Sequence, residues 1–144
     1  MILIVKVINR SMEPTYMHND LLIVKGWNTK SFIKRQKVLL LNLPYEYGGR
    51  SIKRLIGLPG DTINIQDGSI YINGSIHEEA HLDGMPKTKG TESMKCVVPQ
   101  GHVFVLGDYR NYVHGVDSRI FGPVPLSNIK GMIIGKLWPI TKRN

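Results

Sequence analysis

The sequence predicts a mainly β fold with little helix, on three observations. Short β-branched or apolar runs recur along the chain, and turn residues separate them at short intervals. Asp67-Gly68, set between Ile63-Asn64-Ile65 and Ile70-Tyr71-Ile72, is a two-residue hairpin signature.

The elements follow in order. Residues 2–8 form an apolar run interrupted only by Lys6, the length of a strand and far short of the roughly 20 residues of a membrane helix. His18-Asn19-Asp20 ends the next segment, and strands are expected over 21–26, 38–43 and 51–57. The runs 62–66 and 69–73 flank Asp67-Gly68, and Asn73-Gly74 starts a further turn. Strands over 95–98, 102–106 and 131–137 complete the set. Residues 83–94, with Gly84, Pro86, Gly90, several charges and no periodicity, read as a flexible surface excursion.

At 144 residues with 42% hydrophobic side chains the chain is one domain with a real core. Its formal charge of +8 could suit nucleic acid or an anionic membrane surface. The basic residues are mostly scattered, however, with tight clusters at Lys34-Arg35-Gln36-Lys37 and Lys142-Arg143, and no DNA-binding motif spacing is present, so no nucleic-acid partner is expected. Cys96 is the single cysteine, which excludes an intrachain disulfide and a cysteine-rich zinc site. No signal peptide or transmembrane span is visible, so a membrane anchor is expected to be absent from this chain, leaving Ile2-Leu3-Ile4 as a candidate membrane contact.

Ser11-Met12-Glu13-Pro14-Thr15 precedes Ile52-Lys53-Arg54-Leu55-Ile56-Gly57-Leu58-Pro59-Gly60-Asp61 by about 40 residues. A serine hydroxyl needs a base to become a nucleophile, and a lysine is a base only when its ammonium form is destabilised. Ile52, Leu55 and Ile56 would desolvate Lys53 if a strand turned it inward.

A third block, Gly107-Asp108 through Asp117-Ser118-Arg119 to Gly122-Pro123-Val124-Pro125, completes a specific pattern. With the Ser11 and Lys53 blocks in the same order, the chain resembles the catalytic domain of bacterial type I signal peptidases. Val98-Pro99 through Leu106 adds to the likeness, which covers about two-thirds of the chain. The resemblance implies antiparallel coiled β-sheets of the signal-peptidase and LexA-like type. Residues 1–144 would be a single catalytic domain, with 66–94 a short form of the family's variable insertion. The implied activity is cleavage of signal peptides from exported preproteins after small residues at positions −1 and −3. It would occur on the extracytoplasmic face of the cell membrane, at the membrane surface, without metal or cofactor. The LexA/UmuD-like self-cleaving proteins also carry Ser-Met and a lysine, but the Gly-Leu-Pro-Gly-Asp and Asp-Ser-Arg blocks belong to the peptidases. A catalytically weak or inactive preprotein-binding homologue is the other alternative.

By resemblance, Ser11 is the nucleophile and Lys53 the general base. The Ser11 N–H and the Asn9 side-chain amide would form the oxyanion hole, although Asn9 could instead simply cap a turn. Val5, Val7, Met12, Tyr16, Leu22 and Ile52 match pocket positions, while Leu22 could equally be ordinary core. Strand alternation would put Val5, Val7 and Asn9 on one face, joined by Ser11 if the extension persists. Asp108, Asp117 and Arg119 are expected to support the site structurally.

Three departures stand out. The Gly107–Asp117 interval is two residues longer than usual, with Tyr109 and Tyr112 where asparagine is common. The serine that orients the lysine in many relatives falls on Gly115, or on Val113 in the other register. Gln36-Lys37 replaces a common Gly-Asp and is expected to alter only a turn. Separately, His77-Glu78-Glu79-Ala80-His81 matches H-E-x-x-H, but the nearby Asn-Gly turn, Gly84 and Pro86 leave no room for the zinc-binding helix. A polar surface segment is expected there, with His18, His102 and His114 surface or structural groups.

Overall fold

A computed structural model describes residues 1–89, 93–111 and 116–139. Tyr112, Val113, His114, Gly115 and Lys142-Arg143 lie outside the described residues, so the lysine-orienting position has no structural account.

Eleven strands form two antiparallel sheets among the described residues. They are β1 (Ile2–Lys6), β2 (Leu21–Gly26), β3 (Val38–Asn42), β4 (Arg50–Gly57), β5 (Thr62–Gln66), β6 (Ser69–Ile72), β7 (Ser75–Ile76), β8 (Ser93–Val97), β9 (His102–Leu106), β10 (Val124–Pro125) and β11 (Ile129–Trp138). The larger sheet runs β1-β2-β11-β3-β4-β9-β10 and the smaller β7-β6-β5-β8. A four-residue helix, α1 (Ser118–Phe121), follows β9.

The mainly β reading holds, and nine runs of the sequence became nine of these strands. The two strands missed, β7 and β10, are two residues long, too short for any periodicity. Asp67 and Gly68 take φ of 50° and 78°, and Asn73 and Gly74 take 53° and 84°. Positive φ at both turn residues matches the twist of an antiparallel pair, so each dipeptide closes a two-residue hairpin.

Alternating side chains build three apolar clusters. Leu39, Leu41, Leu55, Val103 and Val105 fill one, and Val7, Met12, Leu22, Val24 and Leu40 a second. The third, with Ile56, Ile63, Ile65, Ile70, Phe104 and Leu106, joins the two sheets. β4 contributes to all three, with Ile52 against the second, Leu55 in the first and Ile56 in the third. Asp61 fixes the turn after β4, accepting hydrogen bonds from Leu58 N–H, Asn73 and the Arg35 guanidinium.

The described part of the 83–94 excursion is tied to the body of the domain. Thr88 is buried and donates its N–H to Gly68, while Lys89 N–H donates to the Arg110 carbonyl.

Candidate active site

β1 ends at Lys6, and the chain then folds into a compact turn before β2. Val7 N–H donates to Asp20, Asn19 N–H to Val7, and Tyr16 N–H to Met12. Met12, only 1% exposed, anchors this turn in the second cluster, so its neighbour Ser11 is held half-buried at the surface of the core.

The opposite wall comes from β4 and the end of β9. Alternation puts Ser51, Lys53 and Leu55 on one face of β4. The pairings Leu55–Val105 and Arg54–Leu106, continued by one residue, bring Lys53 opposite Gly107. A β-carbon at Gly107 would stand 2.6 Å from the Ser11 carbonyl oxygen and 3.6 Å from the Ser11 β-carbon. The serine turn is therefore seated directly on Gly107, where a side chain would push it away. Tyr109 N–H fastens it by donating to the same Ser11 oxygen at 3.0 Å.

Lys53 is 4% exposed. Burial lowers its ammonium pKa, partly offset by the negative charge of Asp117 and reinforced by the positive charge of Arg119. Asp117 caps α1, accepting from Arg119 N–H, the Arg119 guanidinium and Gly107 N–H. Ser118 accepts from Val105 N–H, closing this block onto β9.

Asp108 sits at the next node, 1% exposed. It accepts from the Arg54 guanidinium through both oxygens at 2.9 and 2.7 Å, and from the Thr15 hydroxyl. Burial alone would raise this carboxyl, but Arg54, Thr15 and Arg110 hold it below the usual carboxylate range. One carboxylate thus joins the serine turn, through Thr15, to the lysine strand, through Arg54.

The Asn9 side chain turns back onto Ser11. Its side-chain oxygen accepts from Ser11 N–H at 3.1 Å and from the Ser11 hydroxyl at 2.8 Å. The acceptor is bound to be the carbonyl end of the amide, because a backbone N–H can only donate. Both Ser11 groups that the resemblance assigns to chemistry are engaged by Asn9 in this arrangement.

A cavity of about 150 Å³ lies beside Ser11, lined by Val5, Val7, Asn9, Met12 and Ile52 as the sequence grouped them. Lys6, Ile8, Leu40, Arg50 and Ser51 also line it and were not singled out. Leu22 and Tyr16 are not part of that lining: Leu22 is fully buried in the second cluster and Tyr16 packs against it. Leu22 therefore takes the core alternative.

Two expectations about the surroundings are sharpened. The polar His77–His81 segment lies at the surface, with Glu78, Ala80 and His81 exposed, but it is pinned there: Glu79, with its side chain 9% exposed, pairs with Arg110 through both oxygens, at 2.5 and 2.7 Å. His77 and His81 flank that carboxylate at 3.9 and 3.8 Å, and burial lowers both imidazoles. No helix forms there beyond the single turn at Ala80–Leu82, and among the described residues no group of three or more His, Cys, Asp or Glu is placed to hold a metal ion. Gln36, with φ of 76°, does more than reshape a turn, since its carbonyl accepts from Arg54 and its side chain meets His77. Thr15, Arg54, Glu79 and Arg110 were missed as partners because the contacts join segments about 30 to 90 residues apart. Periodicity carries no such signal.

The fold and this grouping define a class first: mainly β domains in which a serine turn sits against a strand carrying a buried lysine. The family model described as signal peptidase, peptidase S26, matches residues 1–138, and the chain belongs to that family. It is similar to signal peptidase I V of Bacillus subtilis, 37% identical over 140 residues, covering 89% of this chain and 81% of that protein. It is also similar to thylakoidal processing peptidase 1 of Arabidopsis thaliana, 38% identical over 108 residues. There the match covers 72% of this chain but only 30% of the relative's length. The crystal structure of a signal peptidase I from Enterococcus faecalis superposes with a TM-score of 0.60 at 33% identity, covering 71% of this chain and 97% of that one. The curled antiparallel sheets match that structure.

Proposed function

We propose that residues 1–144 form one catalytic domain, a serine endopeptidase that removes signal peptides from exported preproteins at the extracytoplasmic face of the membrane. The observation that carries this reading is the burial of Lys53, with its depressed ammonium pKa, across Gly107 from the Ser11 turn.

In the proposed reaction, neutral Lys53 takes the Ser11 hydroxyl proton as the oxygen attacks the scissile carbonyl. The tetrahedral oxyanion is held by Ser11 N–H and by Asn9, once the Asn9 amide turns its NH2 inward and releases the N–H it now occupies. Lys53 then passes its proton to the leaving amine, and a water activated by Lys53 releases the acyl group from Ser11. Met12 shapes the turn, and the shallow apolar walls at Val5, Val7 and Ile52 admit only small residues at −1 and −3. Asp108, Asp117 and Arg119 support the site through the hydrogen bonds described for them. β1 lies at the sheet edge with Ile2 and Ile4 exposed, which supports docking at a membrane surface. No helix among the described residues is long and apolar enough to cross a membrane.

The test is incubation of the purified domain with a preprotein bearing Ala-x-Ala before its cleavage site, beside Ser11→Ala and Lys53→Ala. Cleavage by the parent and loss in both variants is expected, and cleavage surviving in both variants would refute the dyad. A second reading, a catalytically weak or inactive preprotein-binding homologue, draws on the Ser11 hydroxyl facing Asn9 while no hydrogen bond engages the Lys53 side-chain amine among the described residues. Preprotein binding without turnover is its expected signature.

A further inference from the structure

The cavity beside Ser11 is lined by two cations, Lys6 and Arg50, and by no acidic side chain. Both residues are exposed, and neither side chain makes an ion pair or hydrogen bond among the described residues. Glu13, the acid of the serine turn, is already held by Arg10 at 3.0 to 3.1 Å. The two cations come from β1 and β4, which are four places apart in the larger sheet, so the curl of the sheet brings them to opposite walls of one cavity.

An extended substrate alternates its side chains as a strand does. If −1 and −3 enter the apolar walls, −2 and −4 turn toward the exposed rim, where unneutralised positive charge waits. We infer that this cleft prefers substrates with an acidic side chain at −2 or −4 and disfavours a basic one, with Arg50 and Lys6 as the specificity-determining residues. The inference rests on the peptidase reading, deepening it from small-residue selection to charge selection. Solvent-exposed charge pairs are modest, so the preference for glutamate over glutamine is up to about fivefold in kcat/KM and shrinks as salt rises.

The experiment uses peptides with alanine at −1 and −3 and Glu, Gln or Lys at −2 or −4. Cleavage of each is followed by the full chain and by Arg50→Glu and Lys6→Glu, at low and high ionic strength. The expected order is Glu, Gln, Lys for the parent, compressed by salt and flattened in Arg50→Glu and in Lys6→Glu. Equal rates for all three at both positions, with the glutamine peptide well cleaved, would overturn the inference and leave the peptidase reading intact. Peptide affinity for Ser11→Ala, read by fluorescence anisotropy, separates the remaining case. A Glu-over-Lys order in binding without cleavage by the parent supports the cationic rim and sinks the peptidase reading. Neither cleavage nor ordered binding sinks both.

Discussion

Gly107 and Ser11 touch backbone to backbone: a β-carbon at Gly107 would lie 2.6 Å from the Ser11 carbonyl oxygen. Backbone cannot swing aside as the end of a long side chain can, so Gly107→Ala displaces the whole serine turn. Kinetics of signal-peptide cleavage should show kcat/KM reduced by roughly a hundredfold, since a misplacement near 1 Å at a reacting group has effects of that order. Activity within twofold of the parent would contradict this seating.

The Lys53 amine titrates below its ordinary value because burial disfavours the charged form. Only the neutral amine can act as base, so kcat/KM should rise with pH through the folded pKa of Lys53 and level off above it. Stability follows the same sign. Between the depressed folded pKa and the unfolded value near 10.4 the unfolded chain binds more protons, so stability rises with pH across that window. Subtracting the stability curve of Lys53→Met isolates the effect, with a limiting slope of about 1.4 kcal/mol per pH unit. Urea unfolding between pH 6 and 10 reads it, and a flat difference curve would argue against a depressed lysine.

Asp108→Asn keeps the shape of the node but removes the charge facing Arg54, whose side chain is 9% exposed. Leaving a buried guanidinium uncompensated costs about 3–5 kcal/mol. Thr15→Val should cost less, about 1–3 kcal/mol, because the carboxylate keeps Arg54. Chemical denaturation of the two variants gives the ranking, and Thr15→Val as the worse of the two would reverse the argument.

Asn9→Asp keeps the oxygen that accepts from Ser11 and removes the NH2 that the proposed oxyanion hole requires. A fall in kcat of about a hundredfold with KM little changed is expected. Asn9→Ser, which restores a hydroxyl donor, should recover part of that loss. If Asn9→Asp matches the parent, Asn9 only caps the turn.

Glu79→Gln weakens a paired carboxylate that pins the inserted segment to Arg110. Limited proteolysis should then cut within residues 75–89 at a markedly increased rate while the larger sheet stays resistant. An unchanged digestion pattern would mean that Thr88 and Gln36 suffice to hold the segment.

Most strands were legible in the sequence because local rules make them. Asp67-Gly68 and Asn73-Gly74 set their hairpins by backbone preference alone, and β4 declared itself by its apolar run. Ser11 and Lys53 stood out through neighbours in the sequence, which is why the blocks around them could be recognised. What stayed hidden was long-range. Nothing near Glu79 says that it meets Arg110, and Gln36 looked like a turn substitution until the fold put His77 beside it. Leu22 illustrates the opposite limit: pattern matching offered it as a pocket residue, and packing made it core.

Asp108, gripping Thr15 and Arg54, lies 3.7 Å from His81, while Glu79 grips Arg110, whose Nε in turn donates to the Gly107 carbonyl. Anyone trimming this protein to a minimal scaffold would take residues 75–89 for a dispensable ornament. Excising them would instead unmoor Arg110 from behind the glycine on which the serine turn rests, so a shortened version needs a new acid supplied to Arg110 before it can be expected to work.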